Sequence, residues 1–314
     1  MNIGVAIATS TDPAVTPNYV DAIIDLARDA ADAGVPSAWF GQRFDYDAAA
    51  LAALVGREVP ALRVGTSAIP IFGRQPLLVA AGAATAQAAT AGRFQLGLAL
   101  GAKSFVEGPF GVTFERPVAR LREFLGALRP ALDTGHTDFR GELVTATTPP
   151  GLSATLPGAE ATVPVLVAAM GPQALRATGE LADGVLPNLA GPRVLESRIV
   201  PTIVEAAGSA GRPAPRVVAF VAAVVTEDPD AVRATVAARM GFYDAVPSYA
   251  RVVAEEGAAK AADLALIGDE DTVAAGLERY LDAGATEIVL TNTELGGPEA
   301  RGRTWRLAGA LAGA

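Results

Sequence analysis

Short apolar runs alternate with longer stretches of helical periodicity from one end of the chain to the other. Residues 2–8 (NIGVAIA) have the continuous apolar character of a buried strand. Over 17–33, Tyr19, Ile23, Leu26, Ala27 and Ala30 fall at helical spacing, and Gly34 follows where a helix of that length needs a left-handed cap. The alternation then repeats: strand 37–41, a short alanine-rich helix, strand 62–68, helix 75–91, strand 93–100, helix 114–132. An irregular stretch rich in Thr, Pro and Gly, about 133–162, interrupts it. Beyond lie strand 163–170, a helix, strand 183–188, helix to about 208 and strand 215–225. Two or three helical segments over 228–283, strand 286–292 and a last helix complete the chain.

Eight continuous apolar strands separated by helices imply a parallel sheet with both faces covered. Eight such units suit a (β/α)8 TIM barrel, an α/β fold, with residues 1–314 as one domain and 133–162 as an excursion after the fourth helix. A doubly wound open sheet is the architectural alternative. The excursion is long for a loop, so it is expected either to serve function or to pair with itself as a hairpin.

Composition narrows the function classes. The chain of 314 residues is 51% hydrophobic and only 19% charged, which excludes intrinsic disorder. Its net charge of −9 argues against nucleic-acid partners and against docking on anionic lipid. It has no Cys and one His, His136, so thiolate chemistry is excluded and no metal site or histidine-based triad is expected. The apolar runs are too short or too polar to span a bilayer, and the N-terminus lacks the basic region of a signal peptide; a cytoplasmic protein is expected.

A parallel barrel performs its chemistry at the carboxyl ends of its strands. That selects Thr9-Ser10, Gln42-Arg43, Ser67-Ala68, Gly101 to Glu107, Ala169-Met170-Gly171-Pro172, Asn188 and Asn292. In VLVAAMGPQALR (165–176) a strand runs through Gly-Pro straight into a helix. Pro172 suits the first helical position, Gly171 allows close approach of a ligand, and the helix N-terminus favours an anion such as a cofactor phosphate. An ordinary strand-to-helix turn reads the same way. Gly97 and Gly101 leave space for a flat ligand, or relieve crowding inside a barrel. Gln42, Arg43, Asp45 and Tyr46 suit substrate contact, or a solvated loop. His136 lies far from any strand end. There is no G-x-S-x-G, no Walker loop and no G-x-G-x-x-G between a strand and a helix. An enzyme-like barrel so poor in nucleophiles and metal ligands points to an organic cofactor as the carrier of its chemistry.

In order along the chain, SAWFGQRF, RVGTSAIPIFGRQPLLVA, TAQAATAGRFQLGLALG, FERPVARLREFLGALRPAL, FRGE and VPVLVAAMGPQALRATGELADGVLPN resemble the recurring blocks of the bacterial luciferase-like monooxygenase superfamily. GTSAIP with VAAMGP looks more like the branch that uses the deazaflavin coenzyme F420 than like the flavin mononucleotide (FMN) oxygenases. The resemblance implies a non-proline cis peptide at Ser67-Ala68, forming a bulge behind the deazaflavin ring. It implies that Gly101 and Ala102 lie beside the ring and that Gly171 and Pro172 meet the phosphate-bearing tail, with Gln42, Ala169 and Met170 as further cofactor-binding candidates. The chain departs from the family at several positions. Gln42 and Arg43 stand where an acid and a histidine are common. Ala102 replaces the glutamate of the sugar-phosphate dehydrogenases, Gln87 and Thr90 replace an Asp-x-x-Ser, and Gln75 replaces a histidine between Arg74 and Pro76.

The resulting expectation is an F420-dependent oxidoreductase that transfers a hydride to or from a small organic C=C, C=N or carbonyl substrate. Arg43, Tyr46 and Glu107 are the candidate catalytic residues, with Asp45 or water as further proton partners. An FMN-dependent monooxygenase and a non-catalytic flavin-binding or cofactor-free barrel are the alternatives. A homodimer is compatible with the alanine-rich helices.

Overall fold

Ile3 and Val5 have no exposed surface, so the first apolar run becomes a strand covered on both faces. The computed structural model describes residues 1–160 and 162–313; Ala161, inside the expected excursion, lies outside the described residues. The strands are β1 (Ile3–Ala6), β2 (Ser37–Phe40), β3 (Arg63–Thr66), β4 (Ile69–Pro70), β5 (Phe94–Ala99), β6 (Asp138–Arg140), β7 (Thr145–Thr147), β8 (Val165–Ala168), β9 (Gly184–Val185), β10 (Arg216–Val225), β11 (Leu266–Gly268) and β12 (Glu287–Thr291). The helices are α1 (Tyr19–Asp32), α2 (Ala48–Glu58), α3 (Pro76–Ala89), α4 (Lys103–Phe110), α5 (Pro117–Thr134), α6 (Pro172–Leu181), α7 (Pro192–Val194), α8 (Val200–Ser209), α9 (Pro229–Asp244), α10 (Pro247–Glu256), α11 (Glu270–Asp282) and α12 (Gly297–Gly313). A π-turn over Leu195–Ile199 joins α7 to α8.

The described pairings are parallel except for the β6–β7 hairpin. The main sheet has ten strands, of which β4 and β11 are short additions to β5 and β10, leaving eight. The fold is α/β, an eight-stranded parallel barrel. Its contacts divide it into two compact units: residues 1–39, 186–202 and 216–314, and residues 40–185 and 203–215.

In the first unit the strand order is β11-β10-β12-β1-β2. Asn18 caps α1 through its side chain, and Gly34 takes up φ +85° just past the end, as the sequence predicts. Glu287, at the start of β12, is fully buried. It accepts from Arg216 at 2.7 Å, from the Asn2 amide at 3.1 Å and from the Ser37 hydroxyl at 3.3 Å, while Trp39 donates to Ser37. One carboxylate thus ties β12 to β10, β2 and the residue before β1. Gly4 is required beside it, because a Cβ there would lie 2.2 Å from the Ser37 hydroxyl oxygen.

In the second unit the order is β3-β5-β8-β9, with β4 on β5. Asp183 accepts from Arg129, Arg212 and the Val165 amide, anchoring the start of β8. Gln87 accepts from the Phe94 amide at 2.9 Å, so the departure at this position has a structural role.

Several boundaries differ from the sequence reading. The strand expected at 62–68 leaves its ladder at Thr66 and rejoins at Ile69. Residues 103–110, which begin among the strand-end candidates Gly101 to Glu107, form α4, a helix not expected from the sequence because its internal Pro109 masks the helical pattern. The strand expected at 183–188 keeps only two residues, plus a bridge from Asn188 to Phe220. Strand β11, three residues long within the helical 228–283 stretch, is too short to show a period. The excursion does pair with itself, as β6 and β7. Its turn is held by Glu123 on α5, whose carboxylate accepts the amides of Glu142, Leu143 and Val144 at 3.3, 2.7 and 2.8 Å.

The Glu287 cluster generates a stability prediction. Arg216→Ala leaves a fully buried carboxylate without its cation and is expected to lower the unfolding free energy by about 3 kcal/mol in urea denaturation. Adding Glu287→Gln to that variant restores part of the loss.

Candidate functional site

All twelve cofactor-binding and catalytic candidates fall in the second unit, at the carboxyl ends of its strands or in the loops that follow. The departure of β3 from its ladder organises them. Gly65 is level with Gln95, and Ile69 with Leu98. Three residues, 66 to 68, therefore stand opposite two, 96 and 97, which makes a β-bulge. Thr66 is fully buried, and its hydroxyl fills the gap. It donates to the Gly97 carbonyl at 2.9 Å and accepts from the Gly97 amide at 2.8 Å. The Ser67 amide bonds Phe40 O at 2.8 Å. The Ser67–Ala68 peptide bond is cis, as the family resemblance implied, and both residues are partly exposed.

The next strand ends are bare in the same way. Gly101 takes φ +78°, and Ala102 precedes the first turn of α4. Ala169 is buried and Met170 half-buried, and Gly171 is the N-cap of α6. No side chain caps that helix, Pro172 occupies its first turn, and a Cβ built on Gly171 would meet nothing within 4 Å. An uncapped helix start with open space beside its N-cap residue is an arrangement that favours an anion.

The polar candidates are largely engaged in holding the rim together. The Gln42 carboxamide donates to the carbonyls of Arg43 and Tyr46 at 2.7 and 2.6 Å and accepts from the Ala48 amide and Arg74, each at 3.1 Å. Arg43 forms a two-point ion pair with Asp45, 3.0 Å at each contact, and its guanidinium lies 6.0 Å from the Tyr46 ring centre. Glu107 accepts from the Phe114 amide at 3.1 Å and lies 3.7 Å from Lys103. Phe114 stacks on Phe72 at 4.7 Å, under Arg120. Among the described residues no group of three His, Asp or Glu side chains could hold a metal. No described helix is long and apolar enough to cross a membrane.

The first unit carries a cluster that the sequence reading missed. Tyr243 on α9 and Tyr249 on α10 meet edge to face at 5.1 Å between ring centres. Burial pushes both phenols above their ordinary range; Tyr249 and Glu294 add to this for Tyr243, while Asn188, just beyond β9, acts the other way on both. Asn188 was selected as a strand-end residue. The tyrosines lie in helices without a motif, and only three-dimensional structure brings them to it.

The sequence matches the profile of the luciferase-like monooxygenase family over residues 1–287. The chain belongs to the luciferase-like monooxygenase family. One luciferase-like relative, from Mycobacterium tuberculosis, carries a name that ranks it as a candidate coenzyme F420-dependent oxidoreductase; it is 30% identical over 180 residues, 54% of this chain and 52% of that protein. A phthiodiolone/phenolphthiodiolone dimycocerosates ketoreductase of Mycobacterium bovis is 35% identical over 156 residues, 48% of this chain and 39% of its own. The matches thus span about half or less of these curated relatives. Among solved structures, the F420-dependent tetrahydromethanopterin reductase of Methanopyrus kandleri shares the luciferase-like fold with a TM-score of 0.76 at 23% identity, covering 98% of this chain and 97% of that one.

Thr66 should be sensitive to the loss of its hydroxyl. Thr66→Val keeps the shape but leaves the buried Gly97 amide and carbonyl unpaired, an expected loss of roughly 2–4 kcal/mol in chemical denaturation. Thr66→Ser, which retains the hydroxyl, should lose about 1 kcal/mol.

Proposed function

We propose that this luciferase-like protein is an oxidoreductase that binds coenzyme F420 and transfers a hydride between the reduced deazaflavin and a C=C, C=N or carbonyl group of a small organic substrate. The observation that carries this reading is the bulge at Thr66–Ala68. It brings a stretch of partly exposed backbone with small side chains to the end of β3, in the same unit as the open N-terminus of α6. A flat ring needs a wall without bulky side chains, and an anionic tail needs amides without a competing cap. The open space beside Gly171 fits that requirement. Ser67, Ala68, Gly101 and Ala102 would hold the ring, and Ala169, Met170, Gly171 and Pro172 the tail. When bound, the deazaflavin supplies hydride chemistry and, carrying carbon where a flavin has its oxygen-reactive nitrogen, reacts little with oxygen.

The name of the tuberculosis relative supports the F420 branch, and that of the bovis relative favours a carbonyl group within the substrate classes above. This chain's part is to place the substrate and exclude water. Arg43, Tyr46 and Glu107 are the rim residues expected to meet it. Arg43 does so with its charge already matched by Asp45, and Glu107 while bonded to the Phe114 amide. Gln42 acts through the rim loop it holds.

The second reading is an FMN-dependent monooxygenase, favoured by the name of the matching family. Fluorescence-quench titration with oxidised F420 and with FMN, followed by oxygen-uptake measurement, separates the two. Saturable binding of F420 without oxygen uptake is expected; binding of FMN with oxygen consumption would replace the proposal. Gly171→Val gives a local check. It should leave folding stability within about 0.5 kcal/mol, because the site is open, and weaken F420 binding about tenfold, or about 1.4 kcal/mol.

A further inference from the structure

We infer that the exposed rings of Phe44 and Phe110 form a subsite for the uncharged aromatic body of the substrate. The inference rests on the proposed hydride transfer and adds to it the substrate class. Both rings belong to the second unit, as do the residues proposed to hold the cofactor ring.

Phe44 stands in the loop after β2, between Arg43 and Asp45, and Phe110 is the last residue of α4. Their ring centres are 5.8 Å apart with the planes inclined at 55°, so two separate rim segments present one aromatic surface. Phe44 is 69% exposed and Phe110 44%. A lone exposed phenylalanine would need no explanation, but two in contact make a patch.

The backbone places this patch beside the bulge. A Cβ built on Gly41, where the loop leaves β2, would lie 3.5 Å from the Ser67 carbonyl oxygen. A Cβ on Gly101 would lie 3.1 Å from Val106 and 3.7 Å from Pro70, which seats α4 against a residue proposed to hold the ring. Phe110 follows Val106 by four residues, on the same side of the helix. It rests over the bare backbone of Gly73, where a Cβ would lie 3.8 Å from the Phe110 Cβ and Cγ. Gly111 caps α4 at φ +63° and ends the helix with that ring at its tip.

Charge selects against an ionic occupant. The charged residues of 41–47 and 101–110 are Arg43, Asp45, Asp47, Lys103 and Glu107. Arg43 pairs with Asp45 at 3.0 Å, Asp47 with Arg74 at 3.4 Å and Lys103 with Glu107 at 3.7 Å, so each already meets its opposite. A neutral ring needs no such partner and gains edge or offset contacts with both phenyl groups. Size decides between a small molecule and a second copy of the chain. The exposed parts of the two rings amount to roughly 200 Å², the scale of a single aromatic group. A stable interface between proteins needs about 800 Å² from each partner.

Native protein, Phe44→Ala, Phe44→Tyr and Phe110→Ala are compared with Leu78→Ala, which truncates an exposed side chain on α3. The measurements are F420 quench titration, saturation-transfer NMR titration of acetophenone and of 4-acetylbenzoate on the cofactor-free protein, and sedimentation velocity. All variants should bind F420 within twofold of native. The acetophenone Kd should rise about fivefold in Phe44→Ala and Phe110→Ala, and stay within twofold of native in Phe44→Tyr and Leu78→Ala. Phe44, the more exposed ring, keeps the test decisive if Phe110→Ala disturbs α4. The anionic 4-acetylbenzoate should bind native protein at least fivefold more weakly than acetophenone. No acetophenone signal, an acetophenone Kd unchanged in Phe44→Ala, or 4-acetylbenzoate bound as tightly as acetophenone overturns the subsite. A native dimer that Phe44→Ala dissociates also overturns it, because the patch is then an interface between copies. Failure of the native protein to bind F420 overturns the proposed function instead, and the acetophenone comparison still decides the subsite.

Discussion

A strand can leave its ladder inside a protein only if the peptide groups it abandons find other partners. At the end of β3 that requirement falls on one hydroxyl. Thr66 gives and takes a hydrogen bond at Gly97, so the amide and carbonyl facing the bulge remain paired although the register has shifted by one residue. The partly exposed backbone at Ser67 and Ala68 is available because of that substitution of side chain for main chain. The restart of pairing at Ile69, which returns the chain to β5, depends on it too.

The two ends of the strands are built for different purposes. At the amino ends, side chains close on one another: the buried Glu287 gathers Arg216, Asn2 and Ser37 in one unit, and Asp183 gathers two arginines and the Val165 amide in the other. At the carboxyl ends the second unit withholds side chains, leaving glycine, alanine and serine beside an uncapped helix start. This is the division expected of a barrel whose stability and chemistry sit at opposite faces. It also explains why so few chemically active residues suffice: the backbone forms the proposed binding surface.

Much of this was legible in the sequence because it rests on periodicity and on small residues. Most of the eight barrel strands announce themselves as apolar runs, and GTSAIP and AAMGP mark two of the strand ends. What escaped is of two kinds. Strand β11 and helix α4 are short, and Pro109 disguises the latter. The partners of polar residues escaped for another reason. Gln42 reads as a binding residue, yet its carboxamide makes four bonds within its own unit, and nothing in the spacing of Arg74 or Ala48 reveals this. Tyr243 and Tyr249 lie more than fifty residues from Asn188 along the chain, where a single sequence carries no trace of their meeting.

The hairpin in the excursion has a consequence for motion. Its turn is held not by its own two short strands but by the Glu123 carboxylate of α5, which collects three successive amides. A surface hairpin of three-residue strands would ordinarily fray in isolation. Here the turn is coupled to α5, so hydrogen exchange at Leu143 and Val144 should report the opening of that helix and not the breathing of a surface loop.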